Sequence, residues 1–406
     1  MAEKRNGVVG AALLVAITCL CLFEQALRHY SVFSAAFWAF DSFVMPAQTQ
    51  WILPVWIAIW FVAFVILTFR RNDLLLVGFL VVALISYAVQ YPTATKTADA
   101  MTLFAGLALG KFARVYSTRA FVRFLIWYCV ALLAASAWCH LDASYNFYQG
   151  PRWVGLWNDP NLYGMLMAIG FILSICLFLE QSQPVVRSVS CLAAVVTGVG
   201  LFFSFSRGSW CGVILASIYL ANAKGRKVSG RLLLLFVLSI SMIIWLLWGL
   251  RTDLWYLKRL DLSSTFIQDR IMAWRGSVYI MRDHVWSGVG WNMAAPVYEA
   301  YYSSSGNRGS AIGRNDFLMV GAQLGVPALV CFVGYIISCY KQKTNEWEQI
   351  ACRAGVLVLL TAFWFDGGLF RLPTAVIFWI LLELGFVRSS EMERAGKSPN
   401  SFTPNS

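Results

Sequence analysis

The sequence predicts an all-α integral membrane protein of about twelve transmembrane helices. Three observations carry this. Of 406 residues, 59% are hydrophobic and 13% charged, which is not the balance of a soluble globular chain. The apolar residues fall in successive runs near the roughly 20 residues that cross a bilayer. Basic residues collect in alternate connections, as charge-directed orientation requires.

Taken in order, the apolar runs cover about 8–24, 50–69, 73–90, 98–115, 120–138, 160–179, 189–205, 208–222, 231–250, 315–340, 353–370 and 372–388. Lys4 and Arg5 precede the first run, but no clean small-x-small cleavage site follows it. This reads as an uncleaved first helix rather than a signal peptide. Trp51, Trp60, Tyr87, Tyr91, Trp127 and Trp379 sit at span ends and read as an interfacial belt. With the N-terminus in the cytoplasm, every inner connection is basic: Arg70-Arg71, then Lys111, Arg114, Arg119 and Arg123, then Arg187, Lys224, Arg226, Lys227 and Arg231, then Lys341, Lys343 and Arg353. Both termini are then cytoplasmic. Residues 1–390 form one polytopic domain, and the polar tail 391–406, with Pro399 and Pro404, reads as disordered.

Ten cysteines lie in or at the ends of apolar runs, no CxxC occurs, and there are three histidines. Neither a disulfide framework nor a zinc site is expected.

The long polar segment 251–316, between the ninth and tenth spans, falls on the outer side. Arg251, Arg259, Arg270, Arg275, Arg282, Arg308 and Arg314 alternate there with tryptophans and tyrosines. Outside, Lys96 and Lys258 are the lysines; the remaining positive charge is arginine. Arginine grips phosphate with parallel hydrogen bonds, and flat aromatic faces suit sugar C–H faces or lipid headgroups. A phosphate-and-sugar ligand at the outer membrane surface is the first expectation.

Four stretches could carry the chemistry. In Gly155-Leu156-Trp157-Asn158-Asp159-Pro160-Asn161, Asn158 or Asp159 caps a helix and Pro160 suits its first position; Asn158 is also a candidate wall of a site. Ser204-Phe205-Ser206-Arg207-Gly208-Ser209 joins two spans with almost no loop. Arg207 there either meets a ligand, with Ser206 beside it, or snorkels to headgroups. Residues 266–283 read as an amphipathic helix, with Ile267, Ile271, Trp274, Val278 and Met281 in one stripe toward the bundle. Arg275 and Arg282 share another face, and Arg270 lies near its start; this is a lid over a cavity or an interfacial helix on anionic lipid. His284-Val285-Trp286-Ser287-Gly288-Val289-Gly290 reads as a tight turn.

Together with Asn315-Asp316-Phe317-Leu318 and Gly325, these stretches resemble the O-antigen ligase and O-antigen polymerase family of bacterial envelope glycosyltransferases. The resemblance spans roughly residues 150–335. It implies a GT-C-like fold and metal-independent glycosyl transfer at the periplasmic face of the inner membrane, with no cofactor and no nucleotide. The donor would be a glycan on undecaprenyl pyrophosphate, and the acceptor lipid A–core or another lipid-linked glycan. Arg207 and Arg270 would hold the pyrophosphate, with Ser206, Trp274, Arg275, Arg282, Asn158 and Asn315 lining the substrate site. Ligases of this family carry a histidine where this chain has Arg314. An arginine is a poor general base, so Arg314 fits phosphate better and the base falls to Asp316 or Glu299. Asp316 has a plainer role too, as an acid at a helix N-terminus. Polymerase, exopolysaccharide and protein-glycosylating activities stay open, as does a transporter of lipid-linked glycans, against which the scarcity of mid-span charge counts.

Overall fold

The computed structural model describes residues 12, 14–23, 73–89, 94–115, 118–139, 152–157, 159–223, 265–302 and 314–386. Every regular element among them is helical. The main helices are α1 (Leu74–Val89), α2 (Ala94–Val115), α3 (Arg119–Ser136), α4 (Pro160–Glu180), α5 (Pro184–Ser204), α6 (Arg207–Ala223), α7 (Thr265–Asp283), α8 (Asp316–Leu324), α9 (Val326–Lys341), α10 (Trp347–Phe365) and α11 (Leu372–Gly385). Among the described residues α3, α4, α5 and α10 are long and apolar enough to cross a membrane, and shorter apolar helices cover Leu74–Ser86, Val326–Lys341 and Leu372–Gly385. The chain is a multi-pass membrane protein. The expected spans at 50–69 and 231–250, and the tail 391–406, lie outside the described residues.

Helix starts follow from their caps. Asp159 Oδ1 accepts the backbone N–H groups of Asn161 (2.8 Å) and Leu162 (3.3 Å) ahead of α4, whose first residue is Pro160. Thr118 does the same for α3 through Phe121 N. These side chains satisfy donors that the first helical turn leaves open.

Small residues set the packing. Without a hydrophobic drive between helices in lipid, close backbone approach supplies the attraction. α2 lies along α11 through Gly106 and Gly110. A Cβ at Gly106 would come within 2.8 Å of Trp379 Cδ1, and one at Gly110 within 2.6 Å of Trp379 O. Trp379 is therefore fully buried, not part of the expected interfacial belt. Gly212 lets α6 meet the backbone of α10 at Val358 in the same way.

The tenth span is broken. Gly325, at φ 92°, separates α8 from α9, and Pro327 follows at the start of α9. The break frees carbonyls that the glycine turn after α7 uses: Val289 N–H donates to Ala322 O (2.9 Å) and Gly290 N–H to Gln323 O (2.8 Å). Val326 N–H returns a bond to Val285 O (2.8 Å). Gly288, at φ 62°, sits so close that a Cβ would lie 2.4 Å from Gln323 C.

α7 also departs from expectation. Its buried face is Ala273, Gly276, Ser277 and Ile280, whereas Ile271 and Val278 are exposed. Gly276 lies against the ring of Tyr298. Of the expected stripe, Trp274 packs against Trp364 and Met281 against Gly321, while Ile271 and Val278 point outward. The contact face thus mixes small residues with Ile280, as close helix contacts in membranes do.

Two residues expected in an inner connection are instead buried. Lys111 Nζ lies 2.9 Å from Asp73 Oδ1 and 3.1 Å from Glu383 Oε1. Arg114 Nη1 lies 3.2 Å from Asp73 Oδ1 and 2.9 Å from Glu383 Oε2. Tyr335 donates its hydroxyl to Glu383. Two cations and two carboxylates are thus mutually paired where α2, α9 and α11 meet the start of α1. Charge inside this bundle is less scarce than the apolar runs imply, and this set is neutral.

Candidate active site

The site forms where three separate stretches of chain meet. The first is the mouth of the α5–α6 hairpin. α5 ends at Phe205, held at φ 51°, and α6 begins two residues later at Arg207. Ser206 is buried and acts as the cap: its Oγ accepts Ser209 N–H at 3.4 Å and lies 2.8 Å from Ser209 Oγ. Arg152 braces the hairpin from outside, donating through Nε to Ser204 O and through Nη2 to Asn161 Oδ1, both at 2.7 Å. Arg207 stands exposed at the first position of α6.

The second stretch is α7, which presents Arg270. The third is the turn between α10 and α11, which presents Asp366. Arg270 Nη2 donates to Asp366 Oδ1 at 3.0 Å, with the arginine side chain 20% exposed and the carboxylate 4%. Ser206 Oγ donates to the other carboxylate oxygen, Oδ2, at 3.3 Å. Gly208 makes this approach fit, since a Cβ there would lie 2.8 Å from Asp366 Oδ2.

Arg314, just before α8, belongs to the same neighbourhood. Burial pushes the Arg270 guanidinium below its ordinary value, Asp366 opposes that, and the positive charges of Arg314 and Arg207 push it down further. Arginine nevertheless stays charged in proteins. These four residues carry three guanidiniums against one carboxylate, leaving two formal positive charges.

Asn315 is fully buried and caps α8, its Oδ1 accepting Leu318 N–H at 3.0 Å; its Nδ2 has no hydrogen-bond partner, nor does Trp274 Nε1. Trp274 packs edge-on against Trp364, ring centroids 6.3 Å apart, and Phe317 lies 5.6 Å from Trp364. An aromatic wall thus flanks the arginines. Asp316 is buried, and its Oδ2 accepts the backbone N–H groups of Gly368 (2.6 Å) and Leu369 (2.7 Å).

Of the residues singled out from sequence, the structure brings together Arg207, Arg270, Arg314 and Ser206, with Trp274 beside them and Asp316 and Asn315 behind. Arg282 turns away: its Nε bonds Asp283 at 3.0 Å, and Asp283 also accepts the Tyr302 hydroxyl at 2.7 Å. Arg275 is exposed, five residues along α7 and so on another face. Asn158 lies outside the described residues. Asp366 escaped the sequence reading because it falls inside the run 353–370. The available signal was a lone carboxylate followed by Gly367-Gly368 between two apolar helices.

Residues 192–333 match the family model of the O-antigen ligase domain, Wzy_C. The match runs from within α5 to within α9 and includes Arg207, Arg270 and Arg314, so the resemblance read from the motifs is borne out over this region. Asp366 lies beyond it. No curated protein matches the chain.

Proposed function

We propose that this protein transfers a glycan from undecaprenyl pyrophosphate to an acceptor hydroxyl at the periplasmic face of the inner membrane, as an O-antigen ligase with lipid A–core as acceptor. The observation that carries this reading is the gathering of Arg207 and Arg314 around Arg270, which is itself paired with Asp366. A sugar–pyrophosphate–lipid diester carries two negative charges, which equals the excess of these four residues. The adjoining Trp274, Trp364 and Phe317 suit the sugar or the lipid.

In this reading the acceptor oxygen attacks the anomeric carbon, and the bond from that carbon to the phosphate oxygen breaks. The electron pair leaves on the pyrophosphate, where the guanidiniums stabilise it. The acceptor proton passes to the Asp366 carboxylate, the carboxylate nearest the arginines. Asp316 lies behind this group, its Oδ2 accepting the N–H groups of Gly368 and Leu369, whereas Asp366 directly meets Arg270 and Ser206.

One observation favours a second reading. Arg314 stands where ligases of the resembled family carry histidine, which leaves a polymerase, with another lipid-linked glycan as acceptor, as the alternative. The test uses purified protein in nanodiscs with an undecaprenyl-pyrophosphate oligosaccharide, with and without lipid A–core. Glycan on lipid A–core supports the ligase; a ladder of longer lipid-linked glycans without it supports the polymerase. Absence of any product across several donors argues against both.

A further inference from the structure

The turn that carries Asp366 is closed at its two ends by backbone bonds, Asp366 N–H to Ala362 O (2.8 Å) and Arg371 N–H to Gly368 O (3.1 Å). Gly367 adopts φ 67°, a conformation that glycine takes without penalty. At Gly368 a Cβ would lie 2.8 Å from Phe363 Cε1 and 2.9 Å from Met165 Sδ, so a side chain there would have to displace both. Between those ends, the N–H groups of Gly368 and Leu369 are held by neighbouring elements. Thr374, in α11, donates its hydroxyl to Gly368 O. Asp316, from α8, accepts Gly368 N–H and Leu369 N–H on one carboxylate oxygen, at 2.6 and 2.7 Å. Asp316 is only 3% exposed, so its carboxylate faces this backbone. The arrangement joins α8, which follows directly from Arg314, to the turn whose side chain meets Arg270 and Ser206.

We propose that Asp316 is a positioning residue: by holding the N–H groups of Gly368 and Leu369 it sets the Asp366 carboxylate against Arg270 and Ser206. The link to turnover rests on the glycan-transfer reading above; the structural link does not. An acceptor at this position is what the turn requires, and an asparagine side-chain oxygen supplies one as well. A proton carrier, by contrast, has to be the acid itself.

The full-length protein in nanodiscs tests this in two arms. In the first, hydrogen–deuterium exchange is followed across residues 364–372. Asp316→Ala speeds exchange at Gly368 and Leu369 by about tenfold or more, while α3 and α4 keep wild-type protection. Asp316→Asn stays close to wild type. In the second arm, Asp316→Ala lowers kcat for transfer by about 10- to 100-fold with a smaller change in donor KM, and Asp316→Asn keeps most of the rate. In an Asp366→Asn background, Asp316→Ala adds little further loss, because the residue it positions is already disabled. Unchanged exchange in Asp316→Ala overturns the proposal. So does protection lost throughout the bundle, which marks a general packing residue, or an Asp316→Asn variant as inactive as Asp316→Ala, which marks a proton carrier. A wild-type protein that transfers nothing sinks the glycan-transfer reading, and the exchange arm alone then decides the role of Asp316.

Discussion

Arg270 Nη2 and Asp366 Oδ1 meet at 3.0 Å although 96 residues separate them in the chain. The contact ties α7 to the α10–α11 turn. With the carboxylate 4% exposed, loss of the whole pair would cost folding as well, but a lysine keeps a cation opposite Asp366. On the proposed reading the guanidinium fork also offers two parallel donors to a phosphate. Arg270→Lys keeps the charge and loses the fork. Transfer at saturating donor is expected to fall by about 10²-fold, the scale for losing one fixed donor to developing charge. The folded amount is expected to stay unchanged. Initial rates beside size-exclusion profiles check this, and a variant with more than half the wild-type rate would remove the fork from the mechanism.

Arg314 gives a pH experiment. Arg314→His places a group of ordinary pKa about 6.5 where the chain has a permanent cation. If position 314 serves phosphate binding, the variant needs the protonated ring. Its donor affinity is then best below about pH 6 and declines as pH rises through the histidine pKa. The ratio of variant to wild-type donor KM, measured between pH 5.5 and 8, is expected to increase with pH. A ratio that falls over the same interval assigns position 314 to base chemistry instead.

The paired set of Asp73, Lys111, Arg114 and Glu383 lies at the far end of α11 from the Asp366 turn, since Glu383 sits eleven residues after Leu372, about 16 Å along a helix. Removing one member leaves a buried charge without its counterpart. Glu383→Gln is expected to destabilise the protein by about 3–5 kcal/mol, read as a lower melting temperature in detergent. The double variant Lys111→Met/Glu383→Gln restores charge balance and is expected to recover part of that loss. Transfer per folded molecule stays near wild type in both. A melting temperature unchanged by Glu383→Gln contradicts the network.

Much of this was legible in the sequence, and the misses share a cause. Asp159 was readable as a cap because capping is local chemistry, whereas Asn315, expected to line the substrate site, caps α8; Arg207, Arg270 and Arg314 were readable because charged residues stand out between apolar runs. Asp366, Asp73 and Glu383 were hidden because one charge inside an apolar run changes its hydropathy little, and their partners are distant in sequence. The face of α7 was half legible: Trp274 and Met281 of the expected stripe pack inward, whereas Ile271 and Val278 do not, and Gly276, Ser277 and Ile280 take their place. The break at Gly325 was hidden in continuous apolar sequence and shows only when the carbonyls of Ala322 and Gln323 are followed to the glycine turn.

Gly110 tests the small-residue packing directly. A Cβ there would lie 2.6 Å from Trp379 O and 2.8 Å from Trp379 C. Both are backbone atoms, so no side chain can rotate aside and α2 has to move off α11. At Gly106 the nearest atom is Trp379 Cδ1, at 2.8 Å, with the backbone of Ala375 at 3.2 Å. At Gly334 a Cβ would meet only Leu75, at 3.0 Å or more, the end of a flexible side chain. Alanine at these positions is therefore expected to be destabilising in the order Gly110, then Gly106, then Gly334. The first costs about 1–3 kcal/mol as overpacking, and the last is close to neutral because alanine also favours the helix. Because Lys111 follows Gly110, the displaced α2 also carries Lys111 and Arg114 away from Glu383 and Asp73. Gly110→Ala and Glu383→Gln are then non-additive in melting temperature. Additive losses would mean that the helix contact and the charge set stabilise the bundle independently.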